Sequence, residues 1–257
     1  MIGHKDRYAL VTGASSGIGY ELAKLLAGDG KNLVIVARNI NKLEQVKTEI
    51  ENEYGTRVKV LPGDLSSPLA PSEIFSELEK EDVDVDVLVN NAGFGLFGMF
   101  SETDLQKELE MIQVNIASLT HLTKLFLKKM LENKSGRILN VASSLGFLPV
   151  PLFPVYAASK AYVLHFSEAL ASELQGTGIY VTCLCPTPTK TLFWADMENS
   201  KSAKGQMMDA VTVAEAGYTA LKKGKTMATP GFKGKSLLIF TRVFPRNVLT
   251  NMMKSMV

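Results

Sequence analysis

Two kinds of hydrophobic pattern alternate along the chain. Short runs that are apolar at nearly every position and rich in β-branched residues occur at Tyr8–Thr12, Leu33–Ala37, Val58–Leu61, Val85–Val89, Arg137–Val141 and Ile179–Leu184, with a weaker one at Thr226–Thr229. Between them lie longer stretches of helical period, such as IGYELAKLLAGDG, NKLEQVKTEIENEYG and TDLQKELEMIQVNIASLTHLTKLFLKKMLEN. Strands apolar on both faces, each followed by a helix, build a parallel sheet covered on both sides through right-handed crossovers. The pattern therefore predicts a doubly wound α/β fold of about seven strands.

No internal repeat, low-complexity tract or Pro/Ser-rich linker interrupts this rhythm, so the 257 residues read as a single domain, 1–257. The rhythm fails after the sixth strand, where PTPTKTLFWADMENSKSAKGQ is irregular; a segment of about 187–210 leaves the carboxyl end of the sheet, where open α/β sheets bind ligands. A basic and apolar tail, about 232–257, closes the chain.

Composition narrows the function classes. Hydrophobic residues make up 46% and charged residues 21%, as in ordinary globular chains, and the net charge of +2 without a Lys/Arg block gives no support to a nucleic-acid partner. Cys183 and Cys185 share one face of a strand and read as buried reduced thiols. His4, His121 and His165 have no ligand spacing, so no metal site is expected. No apolar run has the length of a membrane span, and a strand beginning near residue 7 leaves no room for a signal peptide, so a cytoplasmic location is expected.

The candidate chemistry begins at TGASSGIG, Thr12–Gly19, between the first strand and first helix. Glycines at 13, 17 and 19 suit a turn where backbone approaches a pyrophosphate and a helix N-terminus supplies amides; the alternative is a tight turn with no ligand. The spacing differs from the commoner G-x-G-x-x-G. Where an NAD site calls for an acidic residue, the second strand ends in Ala37 and Arg38, which favours NADP(H) over NAD(H) unless Arg38 is merely a solvated surface residue. Ser15 adds a hydroxyl.

A second feature is VYAASKAYV, Val155–Val163, which places Tyr156 and Lys160 one turn apart on a helix. Alone it reads as a half-buried helix with a snorkelling lysine. With TGASSGIG, NNAG at Asn90–Gly93 and YAASK at Tyr156–Lys160 in this order, however, the sequence resembles the short-chain dehydrogenase/reductase family over about residues 5–190. That resemblance implies a Rossmann-like fold, a nicotinamide cofactor and a homodimer or homotetramer formed through helices that include 101–133 and 154–175.

It also implies roles for matched positions. The catalytic set is Asn115, Ser143, Tyr156 and Lys160, with Ser144 as the fallback for Ser143, which stands 13 residues before Tyr156. Cofactor contacts fall on Gly13, Ser15, Ser16, Gly17, Ile18, Gly19, Arg38, Asp64, Leu65, Asn91, Ala92, Gly93, Tyr156, Lys160, Pro186, Thr189 and Thr191. In the implied reaction Ser143 and Tyr156 hydrogen-bond a ketone oxygen while hydride leaves the nicotinamide and a proton leaves Tyr156. Lys160 binds the nicotinamide ribose and passes protons toward Asn115 by way of water. A phenol has a pKa of about 10, and an ammonium ~4 Å away at an effective dielectric near 20 would bring it to about 7. The expectation is therefore that Lys160 lowers the pKa of Tyr156.

One departure stands out: CPTPTKT carries Thr187 where the family has glycine, which restricts positive φ and predicts an altered local backbone. Phe94, Leu96, Phe97, Phe100, Leu145, Phe147, Leu148, Leu152, Phe153, Phe193, Trp194 and Met197 lie around the expected site. They line a large apolar pocket or belong to core or subunit interface. A small-molecule carbonyl or alcohol is the expected substrate, bulky and apolar, fatty acyl or steroid-like. The tail is expected to pack against the body or a second subunit, with peripheral membrane contact as the alternative. The competing function is a noncatalytic NADP-binding regulator.

Overall fold

A computed structural model describes residues 7–194 and 207–256. Seven strands form one parallel sheet in the order β3-β2-β1-β4-β5-β6-β7. They are β1 Arg7–Thr12, β2 Asn32–Ala37, β3 Val58–Pro62, β4 Asp84–Asn90, β5 Gly136–Val141, β6 Ile179–Leu184 and β7 Met227–Ala228. All seven match the runs expected from apolar pattern to within a residue at either end, the seventh, of weaker pattern, being only two residues long.

Alternation assigns the two faces. Ala9 and Val11 of β1 and Leu33 and Ile35 of β2 join Leu22, Ala23 and Leu26 of α1 (Gly17–Gly28) and Leu43 and Ile50 of α2 (Ile40–Tyr54) on one side. Leu10, Val34 and Val36 point the other way, toward Ile74 and Leu78 of α3 (Ala70–Lys80) and Leu122, Phe126 and Met130 of α5 (Leu119–Glu132). Successive side chains on a strand face opposite sides, so a strand apolar throughout serves two cores at once. This is the doubly wound architecture that the pattern predicted, and it is Rossmann-like, as the resemblance implied.

The long helical stretch before β5 departs from the expectation. It divides into α4 (Leu105–Ile112), a π-helical turn over Gln113–Ser118 and α5. A π-turn widens the helix locally, and here it carries Asn115, whose side chain bonds sideways to the loop after β4.

Helix α6 (Pro154–Glu173) begins at Pro154, where a proline costs no hydrogen bond, and packs against β6 and a 3₁₀ turn at Ser144–Phe147. After β6 come a short 3₁₀ turn at Leu192–Trp194, α7 (Ala210–Lys222), β7, α8 (Gly231–Val243) and α9 (Arg246–Met256). The segment of about 187–210 is thus described only in part, and Met197 lies outside the described residues.

The tail folds onto its own chain. Leu249 and Met253 of α9 are buried with Met111, Phe153 and Tyr156, and Leu237 and Phe240 of α8 pack against the same cluster. Of the apolar residues expected around the site, Phe94, Leu96, Phe97, Leu145, Phe147, Leu148, Phe153 and Phe193 gather there, whereas Phe100 is exposed.

Candidate active site

Strand order reverses between β1 and β4, so the loops leaving their carboxyl ends part and open a crevice. One wall is the turn after β1. Gly17 sits at φ +58°, a left-handed conformation that suits glycine. Gly19 has another constraint: a β-carbon there would lie 2.4 Å from both the Gly13 carbonyl oxygen and Asn91 Nδ2. The helix that follows starts at Ser16 without any side-chain cap, leaving the first amides of α1, at Gly17, Ile18 and Gly19, open toward the crevice. Ser15 and Ser16 are half-buried beside them.

The facing wall is NNAG after β4. Asn91 Nδ2 donates to the carbonyls of Thr12 (3.0 Å) and Gly13 (3.2 Å), so its side chain braces the glycine turn. Thr12 Oγ1 accepts from the amides of Asn91 and Ala92, 3.0 Å each, and donates to the Val89 carbonyl. Sequence reading passed over Thr12, although it is the first letter of the glycine motif. Below lies a buried polar ladder: Asn90 Nδ2 donates to Thr123 Oγ1 and to Asn140 Oδ1, and Asn140 Nδ2 donates to Ser167 Oγ. It locks β4, β5, α5 and α6 in register, because each of these groups is costly to leave unpaired.

Arg38 is exposed at the end of β2, beside the glycine turn, and forms no ion pair among the described residues. Asp64 is exposed after β3 and accepts from the Ser66 amide; Leu65 is buried and its carbonyl accepts from Ser118 Oγ at the π-turn.

Asn115, Ser143, Tyr156 and Lys160 come from two elements, the π-turn and α6, and the loop after β5, yet all four are buried. Asn115 Nδ2 donates to the Phe94 carbonyl and to Ser159 Oγ, both at 3.0 Å, and its Oδ1 accepts from the Phe94 amide. Ser159 Oγ in turn donates to the Tyr156 carbonyl at 2.7 Å. Ser159, the unassigned letter in YAASK, thus ties the Asn115 side chain to the Tyr156 turn. Gly93 lies between the partners: a β-carbon there would stand 2.8 Å from Asn115 Oδ1 and 3.3 Å from Lys160 Nζ. Ser143 Oγ accepts from the Leu145 amide, and the hydroxyl lowers the pKa of the Tyr156 phenol.

The electrostatics correct one expectation. The Tyr156 pKa is pushed up to about 12 by burial, with the Ser143 hydroxyl pulling it back in part. The ring is packed between Phe153 and Phe193, with centroids 5.6 and 5.3 Å away. Lys160 donates to the Val141 carbonyl at 2.9 Å, and its Nζ lies 5.8 Å from the centre of the tyrosine ring. Burial pulls its own pKa down to about 8, against opposing contributions from Cys183 and Cys185. Burial therefore sets the direction of the Tyr156 shift, with the lowering coming from Ser143 and not from the Lys160 ammonium, and the phenol stays protonated at neutral pH.

Thr187 does not adopt a positive φ, as its β-carbon favours; among the described residues Asp82, Lys134 and Leu152 are the non-glycines that do. The run is held instead by Pro186, whose carbonyl accepts from the Ser144 amide, and by pairing of Pro188–Lys190 with Met208. Thr189 is buried and donates to the Thr187 carbonyl. Thr191 reaches the glycine turn: its Cγ2 is 2.8 Å from where a Gly17 β-carbon would stand. The two cysteines are buried and reduced, Sγ to Sγ 3.6 Å. No group of three or more candidate metal ligands occurs among the described residues.

The short chain dehydrogenase family model matches residues 7–202. A very-long-chain 3-oxoacyl-CoA reductase of Pyrenophora tritici-repentis is 37% identical over 186 residues, covering 71% of this chain and 54% of that protein, so the chain spans about half the length of this relative. Among solved structures, a short-chain dehydrogenase from Sphingobium yanoikuyae in complex with NADPH superposes with a TM-score of 0.83 at 29% identity, over 92% of this chain and 93% of the other. A bulky-bulky ketone specific alcohol dehydrogenase from Comamonas testosteroni gives 0.79 at 28% identity, over 91% of each chain. With the glycine turn, NNAG and YAASK brought to one crevice of a seven-stranded parallel sheet, the chain belongs to the short-chain dehydrogenase family.

Proposed function

We propose that the chain is an NADP(H)-dependent carbonyl reductase acting on a bulky apolar ketone. One observation carries the reading: a buried tyrosine sits one helical turn from a buried lysine whose Nζ, with Asn115 Oδ1, comes up against Gly93 on the wall facing the glycine turn. The residues present fit a dinucleotide. The uncapped amides of Gly17, Ile18 and Gly19 would hold its phosphates, Arg38 a 2′-phosphate, Asp64 and Leu65 the adenine end, and Asn91, Ala92, Gly93, Pro186, Thr189 and Thr191 the nicotinamide half. When bound, the cofactor supplies the hydride.

The protein's own groups manage the proton. Tyr156, protonated at neutral pH, donates from its hydroxyl to the carbonyl oxygen of the substrate as negative charge develops there. Ser143 orients that oxygen by a second hydrogen bond. Lys160, fixed on the Val141 carbonyl, places positive charge near the phenol as it loses its proton, and Asn115, held by Phe94 and Ser159, stands at the far end of the proton path. The aromatic shell of Phe97, Phe153 and Phe193 keeps water from this exchange and presents an apolar surface to substrate. The bulky-ketone reading is supported by that shell and by the acyl-CoA and bulky-ketone relatives.

The test is NADPH oxidation against a panel of bulky apolar ketones, ketoacyl thioesters and aldehydes. Turnover on the bulky ketones or thioesters is expected. NADPH binding without turnover on any of them would favour a noncatalytic regulator.

A further inference from the structure

Helices α8 and α9 have an unusual distribution of apolar surface. Their inner residues, Leu237, Phe240, Leu249 and Met253, pack into the cluster around Tyr156. A surface helix ordinarily turns polar residues outward. Here Phe232, Ile239 and Val243 are 85, 64 and 70% exposed. At 100° per residue, positions 232, 239 and 243 fall on one stripe, which the exposed Ser236 shares. Phe244 and Val248, each 43% exposed, continue the apolar surface toward α9.

Charge indicates what covers this face. Residues 231–257 hold five of the chain's 28 basic residues, Lys233, Lys235, Arg242, Arg246 and Lys254, and none of its 26 acidic ones. The net charge is therefore +5 in this segment and −3 in residues 1–230. A second copy docking face to face would set one +5 segment against another, since an isologous contact pairs the same patch with itself. An anionic bilayer complements both properties: apolar side chains enter the headgroup–acyl boundary and cations meet lipid phosphates. No helix among the described residues is long and apolar enough to cross a membrane, which makes this a surface contact.

We propose that the outer face of α8, continued by the start of α9, docks the protein peripherally on anionic lipid bilayers. The proposal stands independently of the substrate. Its test is flotation of the full chain with phosphatidylcholine vesicles containing phosphatidylglycerol, beside pure phosphatidylcholine. Binding is expected to the anionic vesicles and to weaken at high salt. Lys233→Gln with Lys235→Gln should weaken it by roughly 30-fold. Ile239→Ser with Val243→Ser should weaken it at least about tenfold while leaving circular dichroism and the melting temperature near those of the parent. Failure of the parent to float, or equal flotation of the lysine and parent proteins, overturns the proposal. So does a dimer in gel filtration that the Ile239/Val243 replacement converts to monomer, because a second copy would then occupy the face.

Discussion

Lys160 and Tyr156 illustrate how residue-scale chemistry is set by surroundings and not by spacing alone. Their separation of four is legible in the sequence, and so is the helix that carries them. The direction of the phenol's shift is not legible. It depends on Phe153 and Phe193, one from the loop before α6 and one from beyond β6, and on the Val141 carbonyl that holds the ammonium. Because Lys160 binds its proton less tightly when folded, the unfolded chain carries more protons between about pH 8 and the ordinary lysine value of 10.5, and stability rises with pH across that window. Below about pH 8 the full cost of the buried charge is present. Lys160→Met should therefore stabilise the protein at pH 7 by about 3 kcal/mol, the gain shrinking toward pH 10.5. Urea melts at both ends of the window check this, and a pH-independent gain would contradict it. Arg38 belongs to the same scale, as an exposed cation at the tip of β2 that forms no ion pair among the described residues. Arg38→Asp should swing the ratio of NADPH to NADH affinity by at least about tenfold toward NADH, measured by cofactor titration.

At the scale of elements, the strands and their order of appearance were readable because the central ones are apolar on both faces, a pattern that amphipathic helices do not share, while the edge strands β3 and β7 carry it more weakly. The helical stretch before β5 was readable as helix but not as α4, π-turn and α5. Nothing in MIQVNIAS signals a π-turn, which is held by bonds from Asn115 to Phe94 and Ser159 far along the chain. The glycine turn was readable as a motif, and the structure supplies the reason for its third glycine. Gly19→Ala pushes a carbon against the Gly13 carbonyl and Asn91, so it should cost about 1–3 kcal/mol and weaken NADPH binding. Gly28→Ala, on the same helix, meets only Tyr54 at 3.5 Å and should leave both unchanged. Comparing the two in thermal melts and cofactor titrations separates close approach from helix propensity; equal effects would contradict the account.

For the whole molecule, the sheet's reversal between β1 and β4 brings together residues from Gly13 to Thr191 that no local pattern connects. The apolar residues near the site illustrate the limit of sequence reading. Most of them do collect around Tyr156, but the tail helices that complete the shell, through Leu237, Phe240, Leu249 and Met253, show no motif of their own. Their placement comes from tertiary packing. In the proposed reaction the Tyr156 hydroxyl delivers the proton in a crevice that holds NADPH. The most direct measurement pairs NADPH titration with turnover of a bulky ketone in Tyr156→Phe. The predicted result is cofactor affinity at the parent's value with turnover reduced at least about 100-fold. A phenylalanine variant that reduces the same ketone at the parent's rate would contradict it.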